Sequence, residues 1–131
     1  MITGGKITSA EVKIHKDGST AKRSVNIQIK DMKIEKGVMT IDYEYRVTYG
    51  DDVATISIEG SLEAKEENGE KIVESWKKKK ALPDDFAEEV LNVVNYVGSV
   101  NGTLIAKVVN LMPPLTLPKL VKKEKEGGKA M

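Results

Sequence analysis

The longest regular pattern in the chain lies between residues 38 and 49. There Met39, Ile41, Tyr43, Tyr45, Val47 and Tyr49 alternate with Thr40, Asp42, Glu44, Arg46 and Thr48. A period of two, apolar on one side and polar on the other, is a strand with one buried and one wet face. Gly50-Asp51-Asp52 then supplies turn residues, and Ala54, Ile56, Ile58, Gly60 and Leu62 return on one parity. Two registers keep the apolar faces of this hairpin together. A loop at Gly50-Asp51 pairs Tyr45 with Ile56, and a loop at Asp51-Asp52 pairs Tyr45 with Ile58 and Tyr43 with Gly60.

Upstream, Ala10, Val12 and Ile14 share a side of a weaker alternation from Ile7 to His15, which predicts a first strand ended by KDGSTAKR. Val25, Ile27 and Ile29 alternate cleanly, but the next apolar residues are Met32 and Ile34. The parity therefore flips across Lys30 and Asp31, as it does at a bulge or strand break. Three of the four tyrosines lie on the Met39–Tyr49 face, so they are expected in the core with hydroxyls reaching a wet edge. Tyr49, next to the turn, is expected to be the exposed one.

Beyond Leu62 the period changes. Ile72, Val73 and Trp76 are spaced i, i+1, i+4 among charges, predicting a short helix over roughly 68–80. Asn68-Gly69 is also a good type I′ pair, so a strand over 71–76 is the competing reading. LPDDFAEEVLNVV opens a second helix, with Asp84 or Asp85 as cap and Glu88 closing a capping box with Asp85. Its predicted stripe is Phe86, Val90, Val93, Val94 and Val97, continuing through Leu104, Ile105, Val108, Val109 and Met112. Gly98 and Gly102 interrupt it. Each costs about 1 kcal/mol relative to Ala, so either the helix breaks there or the glycines allow close packing. LMPPLTLPK must follow in extended form, because consecutive prolines lack donors and restrict their predecessors. Residues 1–120 are thus expected to form one α+β domain, and the basic tail 121–131 to be disordered.

Composition narrows the chemistry. The 131 residues carry 21 basic and 20 acidic side chains, net +1, and no cysteine. No overall field attracts nucleic acid or anionic lipid. Disulfides, thiolate catalysis and cysteine metal sites are excluded, and one histidine, His15, excludes multi-histidine metal centres. The start MITGGKITSAEV has no signal-like apolar core and no long apolar run occurs, so a cytoplasmic protein is expected. Nineteen lysines against two arginines, with Glu exceeding Asp, is a balance reported for high-temperature proteins, and a thermophilic source is expected.

The remaining candidates for chemistry have local explanations. Asp51-Asp52 sits in a turn, where neighbours on a hairpin face opposite ways, and Asp84-Asp85 and Glu88-Glu89 suit a helix start. His15 lacks an orienting partner and a nucleophile in its pattern. Lys77–Lys80 points around a helix end, where cations suit the dipole. Asn101-Gly102-Thr103 matches a glycosylation sequon only by chance in a chain expected to stay inside the cell. No phosphate-binding or nucleophile-elbow motif occurs. The expectation is a non-enzyme without cofactor or metal. What remains is more apolar surface than a two-layer domain of this size needs, which predicts a homodimer or homotetramer.

A short first strand, SVNIQIKDMKIEKG, the long MTIDYEYRVTYGDDVATISIEGSLEAK hairpin, a charged crossover, a long helix and LMPPLTLPKL follow in an order that resembles the SecB-like family of export and holdase chaperones, with an archaeal-type member expected. The likeness covers roughly residues 7–120 and rests on order and spacing. It implies a four-stranded antiparallel sheet with C-terminal helices packed on one face, and binding of unfolded or partner polypeptides in apolar grooves without a cofactor. Carried onto this chain, it implies groove positions at Ile72, Val73 and Trp76 in the crossover, and at Leu111, Met112, Leu115 and Leu117 in the extended segment. The chain departs from bacterial export chaperones in having a basic tail where they have a second helix.

Overall fold

The computed structural model describes residues 1–114, and the expectations for Leu115, Leu117 and the tail lie outside them. The alternating runs form four strands, β1 (Ile2–Ile14), β2 (Arg23–Glu35), β3 (Val38–Tyr49) and β4 (Ala54–Ala64). All pair antiparallel in the order β1-β4-β3-β2, so β1 and β2 are the edges. β1 begins at Ile2 rather than Ile7. Register irregularities between Ile2 and Gly4 and between Ile7 and Ser9 interrupt its alternation, which hides the strand's first half in the sequence.

The parity flip in β2 is a bulge. Ile29 faces Tyr43 and Asp31 faces Asp42, leaving Lys30 as the extra residue. Lys36 at φ 53° and Gly37 at φ 80° give the β2–β3 turn the two positive φ values of a type I′ hairpin. In the β3–β4 hairpin Tyr45 faces Ile58 and Tyr43 faces Gly60, which selects the Asp51-Asp52 register of the two allowed.

The core lies between one face of the sheet and two helices. Met39, Ile41, Tyr45, Val47, Ile56 and Ile58 have no exposed surface. Tyr49 is also fully buried, contrary to the expectation for a residue beside the turn. The reason is non-local: the chain after the second helix folds back over it, and the Tyr49 hydroxyl donates to the Met112 carbonyl at 2.5 Å. The Tyr45 hydroxyl shares a buried hydrogen bond with Ser99 at 3.3 Å. These two hydroxyls therefore end on protein partners instead of a wet edge. Burial raises the pKa of Tyr43, Tyr45 and Tyr49.

Helix α1 spans Gly69–Lys79 and settles residues 71–76 as helix. Ile72, Val73 and Trp76 enter the core, while the charged positions stay outside. Lys80 ends it in the left-handed conformation, φ 55°, donating its N–H to the Trp76 carbonyl. Helix α2 runs unbroken from Asp84 to Val108, about 37 Å at 1.5 Å per residue. Its N-cap is Pro83 and no side chain caps it, so the predicted capping box is not made. Asp84 and Asp85 lie inside the first turn and meet the helix dipole there.

The glycines of α2 serve packing. A β-carbon at Gly98 would clash with the Tyr45 ring, and one at Gly102 would lie 3.0 Å from Pro114 Cγ. The buried line of α2 is Phe86, Val90, Val94, Gly98, Gly102 and Ala106, joined by Ser99. Leu104 and Val108, expected in the buried stripe, are 60% and 77% exposed. The small residues have taken the inner face because the tyrosines of β3 already fill it.

Candidate functional site

β2 is an edge strand, and its apolar side chains are only half covered. Ile27 and Ile29 follow the core parity of β3, facing Tyr45 and Tyr43, yet both remain half-buried. Above them α1 and the start of α2 diverge, leaving a cavity of about 540 Å³. Ile27 and Ile29 line it from the sheet, Trp76 and Lys80 from the end of α1, and Leu82, Ala87 and Leu91 from the connection and α2. Gln28 and Lys30 complete its lining. The lining is mainly apolar, and an edge strand brings unpaired main-chain groups alongside it.

The charges at this groove are cations. The Lys80 ammonium sits 3.9 Å from the Trp76 ring centre, within cation–π range. The αL turn at Lys80 fixes that arrangement, because it ends the helix and folds the side chain back. Lys30, freed by the bulge, bonds Glu59 at 2.9 Å on the open sheet face. That hydrogen bond, assisted by the charge of Glu59, raises the Lys30 pKa. Like charges face each other nearby, Asp31 against Asp42 and Glu44 against Glu59, so the lysine offsets local repulsion.

Of the seven residues assigned to binding by resemblance, the five that are described separate in the structure. Ile72, Val73 and Trp76 lie together on α1, but Ile72 and Val73 are core residues, 3% and 5% exposed. Trp76 is 6% exposed and is the one of the three that lines the groove beside Leu91. Leu111 and Met112 lie near the far end of α2, where the Leu111 N–H donates to Ala106. From Leu91 to Ala106 is about 22 Å of helix, so the described residues of the two sets do not form one site. Leu115 and Leu117 lie outside the described residues. Ile27, Ile29, Leu82 and Leu91 were not among the sequence candidates. Their alternation or helical spacing was visible, but nothing local says that β2 is an edge.

A second unpartnered apolar surface lies on the outside of α2. Between Glu89 and Lys107 no residue carries a charge. Tyr96 is 71% exposed, and Val100, Leu104 and Val108 continue the outer face. An uncharged, exposed helical face of this length in a chain rich in charge is unusual for a free surface.

Among the described residues no helix is long and apolar enough to cross a membrane, and no group of three His, Asp or Glu side chains could hold a metal. No family model matches the chain, and no curated protein matches it in sequence. Among solved structures it is similar to the SecB-like chaperone Rv1957 of Mycobacterium tuberculosis, solved in complex with a ChAD peptide from the Rv1956 HigA1 antitoxin. The superposition has a TM-score of 0.60 at 14% identity and covers 95% of this chain and 92% of that one. At that identity the likeness is one of architecture, and it shows that this α+β chain, with its four-stranded antiparallel sheet and two helices on one face, has a SecB-like fold.

Proposed function

We propose that the chain is a non-enzymatic, chaperone-like module that holds unfolded or partner polypeptides through apolar grooves. The observation that carries this reading is the groove over Ile27 and Ile29, open beside a free strand edge and walled by Trp76, Leu82 and Leu91. Apolar side chains of an extended segment would fill the groove while its main chain pairs with β2. Trp76, with Ile72 and Val73 supporting it from the core, forms one end of this surface. Leu111 and Met112 form a separate apolar contact past the end of α2, and Leu115 and Leu117, which follow them in sequence, are the further candidates for client contact. Peptide capture by the structurally similar Rv1957 supports a polypeptide ligand, and no cofactor is required for such binding. Light scattering of an aggregating model protein tests the proposal. Suppression at stoichiometric oligomer is expected, and its absence sinks the holdase reading.

A second reading has one specific observation in its favour: the peptide held by Rv1957 comes from one named antitoxin rather than from an arbitrary unfolded chain. On that reading this chain is a structural or regulatory domain dedicated to one partner. Affinity capture returning one stoichiometric protein, with no suppression of general aggregation, distinguishes it.

The uncharged outer face of α2 supports a homodimer or homotetramer in which a second copy covers Tyr96, Val100, Leu104 and Val108. A two-fold axis near Val100 brings the same residues of both copies together. A cytoplasmic location fits both readings, and secretion of the intact chain into the medium would contradict it.

A further inference from the structure

Arg23 is the one charged residue on the core-facing side of β2, where Val25, Ile27, Ile29, Met32 and Ile34 follow it. Its backbone is fixed, since it pairs with Tyr49 in the sheet and the preceding Lys22 carbonyl accepts the Gly50 N–H at 2.7 Å. The guanidinium is thereby carried to the chain that leaves α2. There its Nη1 donates to the Met112 sulfur at 2.8 Å, and its buried Nε has no acceptor among the described residues. No carboxylate among them lies within ion-pair distance of it. A guanidinium is a strong five-fold donor whose best partners are oxygens, and a thioether is a weak acceptor. What this contact lacks is an oxygen.

We infer that Met112 is a site of sulfoxidation by peroxide, and that Arg23 takes the sulfoxide oxygen as its acceptor, so that oxidation tightens the chain over Tyr49. Met112 is 49% exposed and open to the oxidant, whereas Met32 and Met39 have no exposed surface. A sulfur lone pair attacks one oxygen of hydrogen peroxide, and the O–O bond breaks as the S–O bond forms. The proton on the transferred oxygen passes to the departing hydroxide, which leaves as water. The sulfur is oxidised by two electrons and the peroxide is reduced. Inside a packed core such a product is disruptive, because an apolar side chain has become polar. Here half of the side chain is in solvent, its unbranched stem can turn, and the new oxygen meets the N–H groups of a cation. The Met112 carbonyl held by Tyr49 and the Leu111 N–H held by Ala106 at 2.9 Å then become harder to release. The sign is opposite to the usual effect of methionine oxidation. Nothing in it depends on the groove over Ile27 and Ile29.

Hydrogen peroxide treatment of the full chain, followed by peptide mass spectrometry, should convert Met112 as readily as the exposed Met1 while Met32 and Met39 stay reduced. Hydrogen exchange at the Leu111 amide should then slow about tenfold, as expected when a charge-assisted hydrogen bond replaces a weak one. In Arg23→Leu the same oxidation should speed that exchange, because the polar sulfoxide has lost its donor. A second pair of variants repeats the comparison without peroxide. Met112→Gln carries an amide oxygen on a side chain of similar length and should slow Leu111 exchange relative to Met112→Leu. Exchange that is unchanged or faster in the oxidised parent overturns the inference, and so does slowing of equal size in Arg23→Leu. Should Arg23→Leu fail to fold, the glutamine and leucine variants decide, and equal rates in those two overturn it. Resistance of Met112 to peroxide under conditions that oxidise Met1 overturns the modification itself.

Discussion

From Gly98 onward the two faces of α2 carry opposite chemistry from what their sequence suggests, whereas Phe86, Val90 and Val94 are buried as their spacing predicts. The inner face, against the sheet, holds Gly98, Ser99, Gly102 and Ala106, while the outer face holds Tyr96, Val100, Leu104 and Val108. In an isolated domain the larger apolar residues belong inside. Here the sheet supplies the bulk: Tyr45 lies so close to the helix axis that only glycine fits at position 98. The difference teaches that a helix's buried side is set by the volume its partner already occupies, and that apolar residues displaced outward are free for association.

The comparison breaks most severely if Gly98 tolerates a side chain. Gly98→Val should destabilise the fold by about 3 kcal/mol, because overpacking against an immobile ring outweighs the gain in helix propensity. Urea unfolding would show it as a fall in midpoint at unchanged slope. A midpoint within error of the parent would mean that α2 does not rest on Tyr45.

Next comes the alkaline limb. Burial raises the folded pKa of Tyr43, Tyr45 and Tyr49, so the native state holds their protons more tightly than the unfolded chain does. The stability tied to these groups is fully present below the ordinary tyrosine value of about 10 and is lost as pH rises through the raised folded values. Tyrosinate absorbance of these three should therefore develop together with loss of secondary structure. Ionisation of Tyr43, Tyr45 and Tyr49 at the ordinary value of about 10 with the fold intact would show that the inner face is wet.

How far these features were legible depends on how local their causes are. The alternation of β3, the bulge at Lys30, the β3–β4 hairpin and the helical spacing of Ile72, Val73 and Trp76 are each written within a few residues. The burial of Tyr49 is not, because Met112 covers it from 63 positions away. Nor is the groove, since Ile27 and Ile29 carry the same alternation as central-strand residues. What half-exposes them is strand order, a property of the whole sheet. Trp76 was found because the single tryptophan of a chain poor in aromatics draws notice, but its partners Leu82 and Leu91 come from a connection and a helix whose relative placement no local pattern encodes. Leu104 and Val108 are visible as apolar spacing and read as part of the buried stripe, and they lie outside because the tyrosine volumes beneath the helix are not written locally.

A smaller effect isolates the strap that closes the inner face. Tyr49→Phe removes the hydrogen bond to the Met112 carbonyl while keeping the ring in place. The cost should be about 1 kcal/mol, since the half-exposed Met112 can turn its carbonyl to water. Hydrogen exchange should rise locally at Leu111 and Met112 with little change elsewhere. Uniform acceleration through β3 would instead make the tyrosine hydroxyl part of the global core.

The outer face gives the smallest change in protomer stability and the clearest change in assembly. Leu104→Lys places a charge at a position 60% exposed, so in the isolated protomer it should shift stability by no more than about 0.5 kcal/mol. If a second copy covers α2, the same lysine falls near a two-fold axis and meets its equivalent, where like charges in a desolvated contact are strongly unfavourable. Sedimentation should then find the parent associated and the variant monomeric. The two measurements separate causes that one would confuse: an associated state stabilises the fold by mass action, so the parent's unfolding midpoint should rise with protein concentration and the variant's should not. A parent that sediments as a monomer at every concentration would leave the outer stripe free for another protein, and the inner and outer faces of α2 would then differ in packing volume alone.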